Sequence, residues 1–294
     1  MERAKGILYA ALSSSTFGLA PLFTLLLLGL GYSSFEVLSY RWGVASLFLG
    51  ALALLAGRSF RLSWPELRTV FFLSLFRAAT SLSLVIAYQH IASGVASTIH
   101  SMYPLAVALA MMCFFREKGS VWVFAAIGMS IVGAVLLSLG NVDFTRGNTT
   151  LGMVSAAVSV VSYGGYIVGV RKSRAVGIDS TVLTCYVMGL GALYFIAGGL
   201  VTGGIRIETD GTAWLCILGV ALPATAVSNM TLVQAIKRIG PTLTSVFGAL
   251  EPLTAVVIGV AVFGEPFTVQ GAAGILLIVA AVTIVILHSG RRKA

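Results

Sequence analysis

Ten stretches of about 20 mostly apolar residues run along this chain, and each is long enough for a helix to cross the hydrocarbon core of a bilayer. They lie at 6–30, 34–56, 67–89, 93–115, 121–139, 152–170, 180–201, 212–236, 241–263 and 269–287. A membrane β-barrel would show shorter segments of alternating character. The composition agrees: 58% of the 294 residues are hydrophobic and 10% charged. Soluble domains carry about 25% charge, so this chain lacks the polar surface to coat a water-soluble body. That excludes an ordinary soluble enzyme, a disordered chain and a secreted disulfide scaffold. Cys113, Cys185 and Cys216 sit inside apolar runs and read as small buried hydrophobes. The first stretch follows Met1-Glu2-Arg3-Ala4-Lys5 and exceeds the usual signal-peptide core, so it reads as a retained helix. The expected fold class is all-α integral membrane with ten transmembrane helices.

The positive charges orient these helices. With a cytoplasmic N-terminus, the inside segments hold Arg3, Lys5, Arg58, Arg61, Arg68, Arg116, Lys118, Arg171, Lys172, Arg174, Lys237, Arg238, Arg291, Arg292 and Lys293. The outside loops hold only Arg146 and Arg206. Such an imbalance is the positive-inside signal, and it places both termini in the cytoplasm. It also accounts for the +9 net charge without a nucleic-acid partner, which would need a basic face on a soluble module.

The chain repeats itself. At a shift of 148 residues, IASGVAS (91–97) falls on IGPTLTS (239–245), Pro104-Leu105 on Pro252-Leu253, and Phe115 and Glu117 on Phe263 and Glu265. A shift of 146 sets residues 6–18 against 152–164. The halves are 1–146 and 147–294, joined in one membrane domain. An odd number of spans per half inverts one half relative to the other. Inverted repeats with a site between them are the architecture of alternating-access carriers.

Residues 235–282 comprise an apolar helix with a mid-span proline, a glutamate and a last helix opening near a glycine. This segment, with its looser copy at 87–122, resembles the drug/metabolite transporter superfamily, its EamA-type branch in particular. The resemblance covers nearly the whole chain and implies a carrier of small metabolites. It also implies a central cavity built from spans one, three and four of one half and six, eight and nine of the other. Tyr103 stands in the first copy where the second has Glu251, so the halves are chemically unequal.

Ionisable residues at mid-membrane are costly and should face protein or a water-filled cavity. Arg77 and Glu251 lie near the middle of their spans. Arg77 shares a helical face with Ser81, Leu84 and Tyr88 at spacings of three and four residues. Its guanidinium suits a substrate carboxylate. A salt bridge to Glu251 is the structural reading of the same pair. Glu251 precedes Pro252, whose ring frees a backbone carbonyl. Pro104 and Pro252 are the expected helix breaks. Glu251 has the chemistry to bind an amine or carry a coupling proton. His100 is a candidate substrate contact, since a histidine can change charge near neutral pH; a bond to a neighbouring hydroxyl is its structural reading. Tyr163, Tyr166 and Asn229 offer hydrogen bonds, and Phe17, Tyr103 and Tyr163 apolar contact. Arg41, nearer a span end, is expected to snorkel to the interface.

No phosphate-binding loop, zinc-peptidase helix or nucleophile elbow occurs in the sequence, and the three histidines form no metal-ligand pattern. The chain therefore reads as a non-enzyme without a cofactor: a secondary carrier of a small polar metabolite, an amino acid or related compound. Export is favoured and protons are a coupling candidate, in a monomer or homodimer of the bacterial inner membrane. A channel or a lipid or small-molecule flippase is the alternative, and an intramembrane enzyme a further one.

Overall fold

The computed structural model describes residues 2–138, 147–254, 257 and 268–290. Phe263, Glu265, Arg146, Arg291, Arg292, Lys293 and the end of the ninth stretch lie outside the described residues. Everything described is helix, turn or loop, with no strand among the described residues.

The helices are α1 (Glu2–Phe17), α2 (Ala20–Gly29), α3 (Ser34–Leu55), α4 (Trp64–His90), α5 (Ser93–His100), α6 (Tyr103–Phe115), α7 (Val121–Ser138), α8 (Thr149–Lys172), α9 (Ser180–Thr202), α10 (Gly211–Ala221), α11 (Ser228–Ile239), α12 (Pro241–Val246) and α13 (Val269–Gly290). Together α1 and α2 form span one, α5 and α6 span four, and α10 and α11 span eight. α12 opens span nine. α3, α4, α7, α8, α9 and α13 are spans two, three, five, six, seven and ten. Seven of the ten are long and apolar enough to cross a membrane outright. Spans five and ten contribute the shorter apolar stretches Val121–Leu136 and Val269–Ile284.

Local chemistry sets several helix starts. Ser33 with Glu36 and Ser63 with Glu66 form capping boxes, each satisfying orphan donors at a helix N-terminus. The second moves the start of span three back to Trp64. Asn148, Asp179 and Asp210 accept the first free backbone N–H groups of α8, α9 and α10. Large apolar side chains such as Leu47, Leu55, Phe114, Val201 and Leu276 are exposed, as lipid-facing positions should be.

The packing carries the repeat. α1 lies along α11, α4 along α8, α3 along α9, α7 along α13, and α6 against α12. By span these pairs are one with eight, three with six, two with seven, five with ten, and four with nine. Exchanging each span with its counterpart five places on turns the first pair into the second and maps the others onto themselves. That is the contact pattern of two repeats related by a two-fold exchange.

The helix breaks follow the same symmetry. Span four breaks at Ser101–Met102, and α6 begins with Pro104 in its first turn. Span nine tightens to a 3-10 turn at Phe247–Ala249 and continues as helix over 250–254, with Pro252 inside it. Each proline thus sits at the start of the second helical piece, where its missing N–H removes no bond. Span eight has a break of its own, a π-helical turn at Leu222–Val227 containing Pro223. Turns of this kind concentrate at functional sites.

Candidate functional site

Arg77 is 1% exposed. Its Nε donates to Asn229 Oδ1 at 2.8 Å and its Nη1 to Ser81 Oγ at 3.2 Å. Asn229 Nδ2 in turn donates to the Thr225 carbonyl at 2.8 Å, which fixes the amide so that its oxygen faces the arginine. The Arg77 Cζ lies 5.0 Å from the ring centre of Tyr163, 5.5 Å from Phe17, 5.9 Å from Trp42 and 6.0 Å from Tyr166. Cation–π attraction to several ring faces offsets part of the loss of water. No ion pair joins Arg77 to Glu251 among the described residues. The salt bridge considered from sequence is replaced by amide, hydroxyl and aromatic partners.

Arg41 corrects the sequence reading. It does not snorkel to an interface; it is 4% exposed, and its Nε donates to Thr225 Oγ1 at 2.6 Å. Its Cζ lies 5.7 Å from the centre of the same Phe17 ring. The reason is helical phase. Val37, Arg41, Ala45 and Leu49 recur every four residues and are all buried, so the side chain points into the bundle however near the span end it lies. The Thr225 hydroxyl donates to the Val220 carbonyl at 2.7 Å, the five-residue reach of the π turn, and accepts from Arg41. The reading from sequence missed Thr225 and placed span two outside the centre. Mid-span Pro223 and the period-four pattern around Arg41 were the available signals.

Two guanidinium carbons that share one ring at these distances are no more than about 11 Å apart. At an effective dielectric near 20 they repel by at least about 1.5 kcal/mol. The fold holds them together regardless.

Glu251, 8% exposed, accepts a hydrogen bond from the Tyr103 hydroxyl at 3.2 Å, across 148 residues of chain. That separation equals the repeat shift, so the two unequal counterparts meet each other between the halves. Gly248 makes room: a Cβ there would land on the Tyr103 hydroxyl. His100, the counterpart of Gly248 in the first half, packs on Tyr103 instead, with ring centres 5.3 Å apart.

Tyr163 centres the aromatic floor. Its ring centre lies 4.6 Å from Tyr103, 5.3 Å from His100, 6.4 Å from Phe17 and 6.5 Å from Tyr166. His100 Nδ1 pairs with Ser159 Oγ at 2.8 Å, a hydroxyl of span six. Tyr88 is buried about two turns beyond Ser81 on α4 and reaches Ser97 Oγ at 3.5 Å. Phe17, Arg77, Ser81, Tyr103, Tyr163, Asn229, His100 and Glu251 therefore come together, with Tyr88 beside them, and Arg41, Trp42 and Thr225 join them. Spans five and ten supply none of these side chains.

Four polar atoms around this centre are buried without a hydrogen-bond partner: Arg41 Nη2, Trp42 Nε1, His100 Nε2 and Tyr166 Oη. An unsatisfied buried polar group costs about 1–3 kcal/mol. Such an accumulation suits a site that a polar ligand completes.

Tyr103→Phe removes the hydroxyl that serves Glu251. The expected result is a loss of about 1–3 kcal/mol of stability, read as a lower melting temperature of the purified protein. Adding Glu251→Gln should cost less than the sum of the two single changes, because the residues are in contact. Full additivity would show that the bond contributes nothing.

A family model described as "EamA-like transporter family" matches residues 4–139 and again 150–287. Among curated proteins, the uncharacterized transporter YojE of Bacillus subtilis is 26% identical over 283 residues, 91% of this chain and 88% of that one. An uncharacterized transporter of Archaeoglobus fulgidus is 25% identical over 238 residues, 81% of this chain and 83% of that one. A solved structure described as "Crystal structure of protein" superposes with a TM-score of 0.80 at 20% identity, covering 100% of this chain and 99% of that one. This last likeness concerns the fold alone.

Proposed function

The chain belongs to the EamA-like transporter family and is an integral, multi-pass membrane protein, and on that premise we propose that it is a secondary carrier of a small polar metabolite. Its mechanism is alternating access about the contact between the two halves. The observation that carries this reading is the hydrogen bond between repeat-equivalent Tyr103 and Glu251, set beside a buried arginine held by both halves. A site at a repeat interface can be exposed to either side as the halves rock.

The substrate class is an amino acid or a related compound. Arg77 has the geometry to take a carboxylate, Glu251 to take an amine, and Phe17, Tyr103 and Tyr163 provide apolar contact. Glu251 is the candidate carrier of a coupling proton. The proposed direction is export from a bacterial cytoplasm. The protein works as a monomer or homodimer.

The test is uptake of a radiolabelled metabolite panel into proteoliposomes containing the purified protein. A carrier gives saturable uptake of at least one compound. Flux that rises linearly with concentration for every permeant compound would favour a channel, and movement of fluorescent lipid between leaflets would favour a flippase.

Topology is tested by cysteine labelling after Cys113, Cys185 and Cys216 are replaced with alanine. Cysteines at exposed Thr150 and Thr209 should react with an impermeant maleimide added outside, and those at exposed Ser59 and Val176 should not. The reverse pattern would overturn the assigned orientation.

A further inference from the structure

The second arginine bears on which substrate the site accepts. Among the described residues the buried charged side chains are Glu36, Arg41, Arg77 and Glu251, and the centre also holds the buried His100 imidazole and the buried phenols of Tyr88, Tyr103, Tyr163 and Tyr166. Glu36 is engaged elsewhere, paired with Arg206 at 3.1 Å. That leaves Arg41 and Arg77 against Glu251 alone. With Glu251 ionised the centre has one positive charge in excess, and with Glu251 protonated it has two.

Hydrogen-bonding capacity points the same way. Arg41 Nη2 and Trp42 Nε1 are buried N–H groups with no acceptor in the protein. Neither group can act as an acceptor. They belong to adjacent residues of α3. The Arg41 guanidinium shares the Phe17 ring with Arg77, and the Trp42 ring lies 5.9 Å from the Arg77 Cζ. Both lack an acceptor, and a single group with two oxygens can serve them together. A carboxylate has two oxygens and about four lone-pair sites, and guanidinium groups bind it with charge-assisted bonds.

We infer that the central site takes a substrate of net charge minus one, an organic carboxylate whose oxygens lie between Arg41 and Arg77 and accept from the Trp42 indole. This deepens the carrier reading and rests on it. A neutral zwitterion offers its carboxylate together with an ammonium and leaves the buried excess uncompensated. A monocarboxylate without an amine, or an acidic amino acid, neutralises one positive charge. The Phe17 and Tyr163 rings then contact the carbon skeleton.

The experiment uses the full-length protein and matched probes. Glutamate is compared with glutamine, and 4-methylpentanoate with leucine. Each pair has nearly the same shape and differs by one unit of net charge. Binding is read as thermal stabilisation of the purified protein, and transport as inhibition of saturable uptake in proteoliposomes. At least one anion is expected to bind ten-fold or more tightly than its neutral partner. Arg41→Gln should weaken the anion more than its neutral partner and so reduce that ratio several-fold. Should Arg41→Gln fail to fold, Trp42→Phe, which removes the indole donor along with part of the ring volume, should lower affinity for the anion several-fold more than for its neutral partner.

Equal or tighter binding of the neutral partners, or an anion preference unchanged in Arg41→Gln, would overturn the inference and leave the carrier reading standing. So would an absence of binding by both anions while another compound of the wider panel is taken up saturably. If nothing in the panel is taken up saturably and neither anion binds, the inference and the carrier reading fall together.

Discussion

Arg77→Lys is expected to lower apparent substrate affinity or turnover by ten-fold or more while the protein still folds and inserts. The substitution keeps the charge. It loses the planar fork that reaches Asn229 and Ser81 at once, and a lysine ammonium is a compact point charge without that geometry. Hydrogen bonds to charged groups are worth about 1.5–3 kcal/mol each, so the loss of one directed bond corresponds to roughly ten- to hundred-fold. Asn229 would keep its bond to the Thr225 carbonyl, which limits the damage to the fold. Initial uptake rates against substrate concentration, with expression and melting temperature measured in parallel, check this. Wild-type kinetics in a well-folded Arg77→Lys protein would show that only the charge matters.

Gly191→Ala is expected to destabilise the protein by about 1–3 kcal/mol, the usual range for forcing extra volume into a close-packed interior. A Cβ at Gly191 on α9 would land inside the ring of Trp42 on α3. Trp42 is fully buried and stands edge-on to Phe195, with ring centres 5.1 Å apart, so it has little freedom to retreat. Another neighbour is the Arg77 guanidinium. Pressure on the ring therefore reaches the site, and weaker substrate binding should accompany the lower melting temperature. Gly43→Ala is the control: it lies on α3 beside Trp42, and a Cβ there would meet nothing within 4 Å. Alanine is the better helix former, so that variant should be neutral or slightly stabilised. Equal melting temperatures for the two variants would contradict the packing described here.

The helices were legible because lipid imposes a length and a composition on any segment that crosses it. The repeat was legible because Pro104 and Pro252 keep register at a shift of 148, and span pairing reproduces the exchange of halves. The meeting of Tyr103 with Glu251 was foreshadowed by their equivalence, although nothing in a linear sequence says that equivalent positions touch. Arg77, Ser81 and Asn229 stood out as polar groups in apolar surroundings. The burial of Arg41 is written in helical phase, which outweighs distance from a span end. A side chain's direction is set by its position around the helix, and the apolar residues four positions either side carried that information. The π turn at Leu222–Val227 was hidden for a different reason. One proline marks where a helix is irregular, but which carbonyls and hydroxyls the irregularity frees depends on the neighbouring helix. Here that neighbour is α3, which brings Arg41 to Thr225.

A carrier of this kind opens its buried site in turn to each side of the membrane. Trans-acceleration tests it most directly. Proteoliposomes are loaded with a saturating concentration of an identified substrate, and uptake of the labelled compound is compared with uptake into empty vesicles. Exchange faster than net flux, with saturation on both sides, is the expected result, because a loaded carrier returns without having to reorient empty. Uptake that is indifferent to internal substrate and rises linearly with external concentration would contradict it.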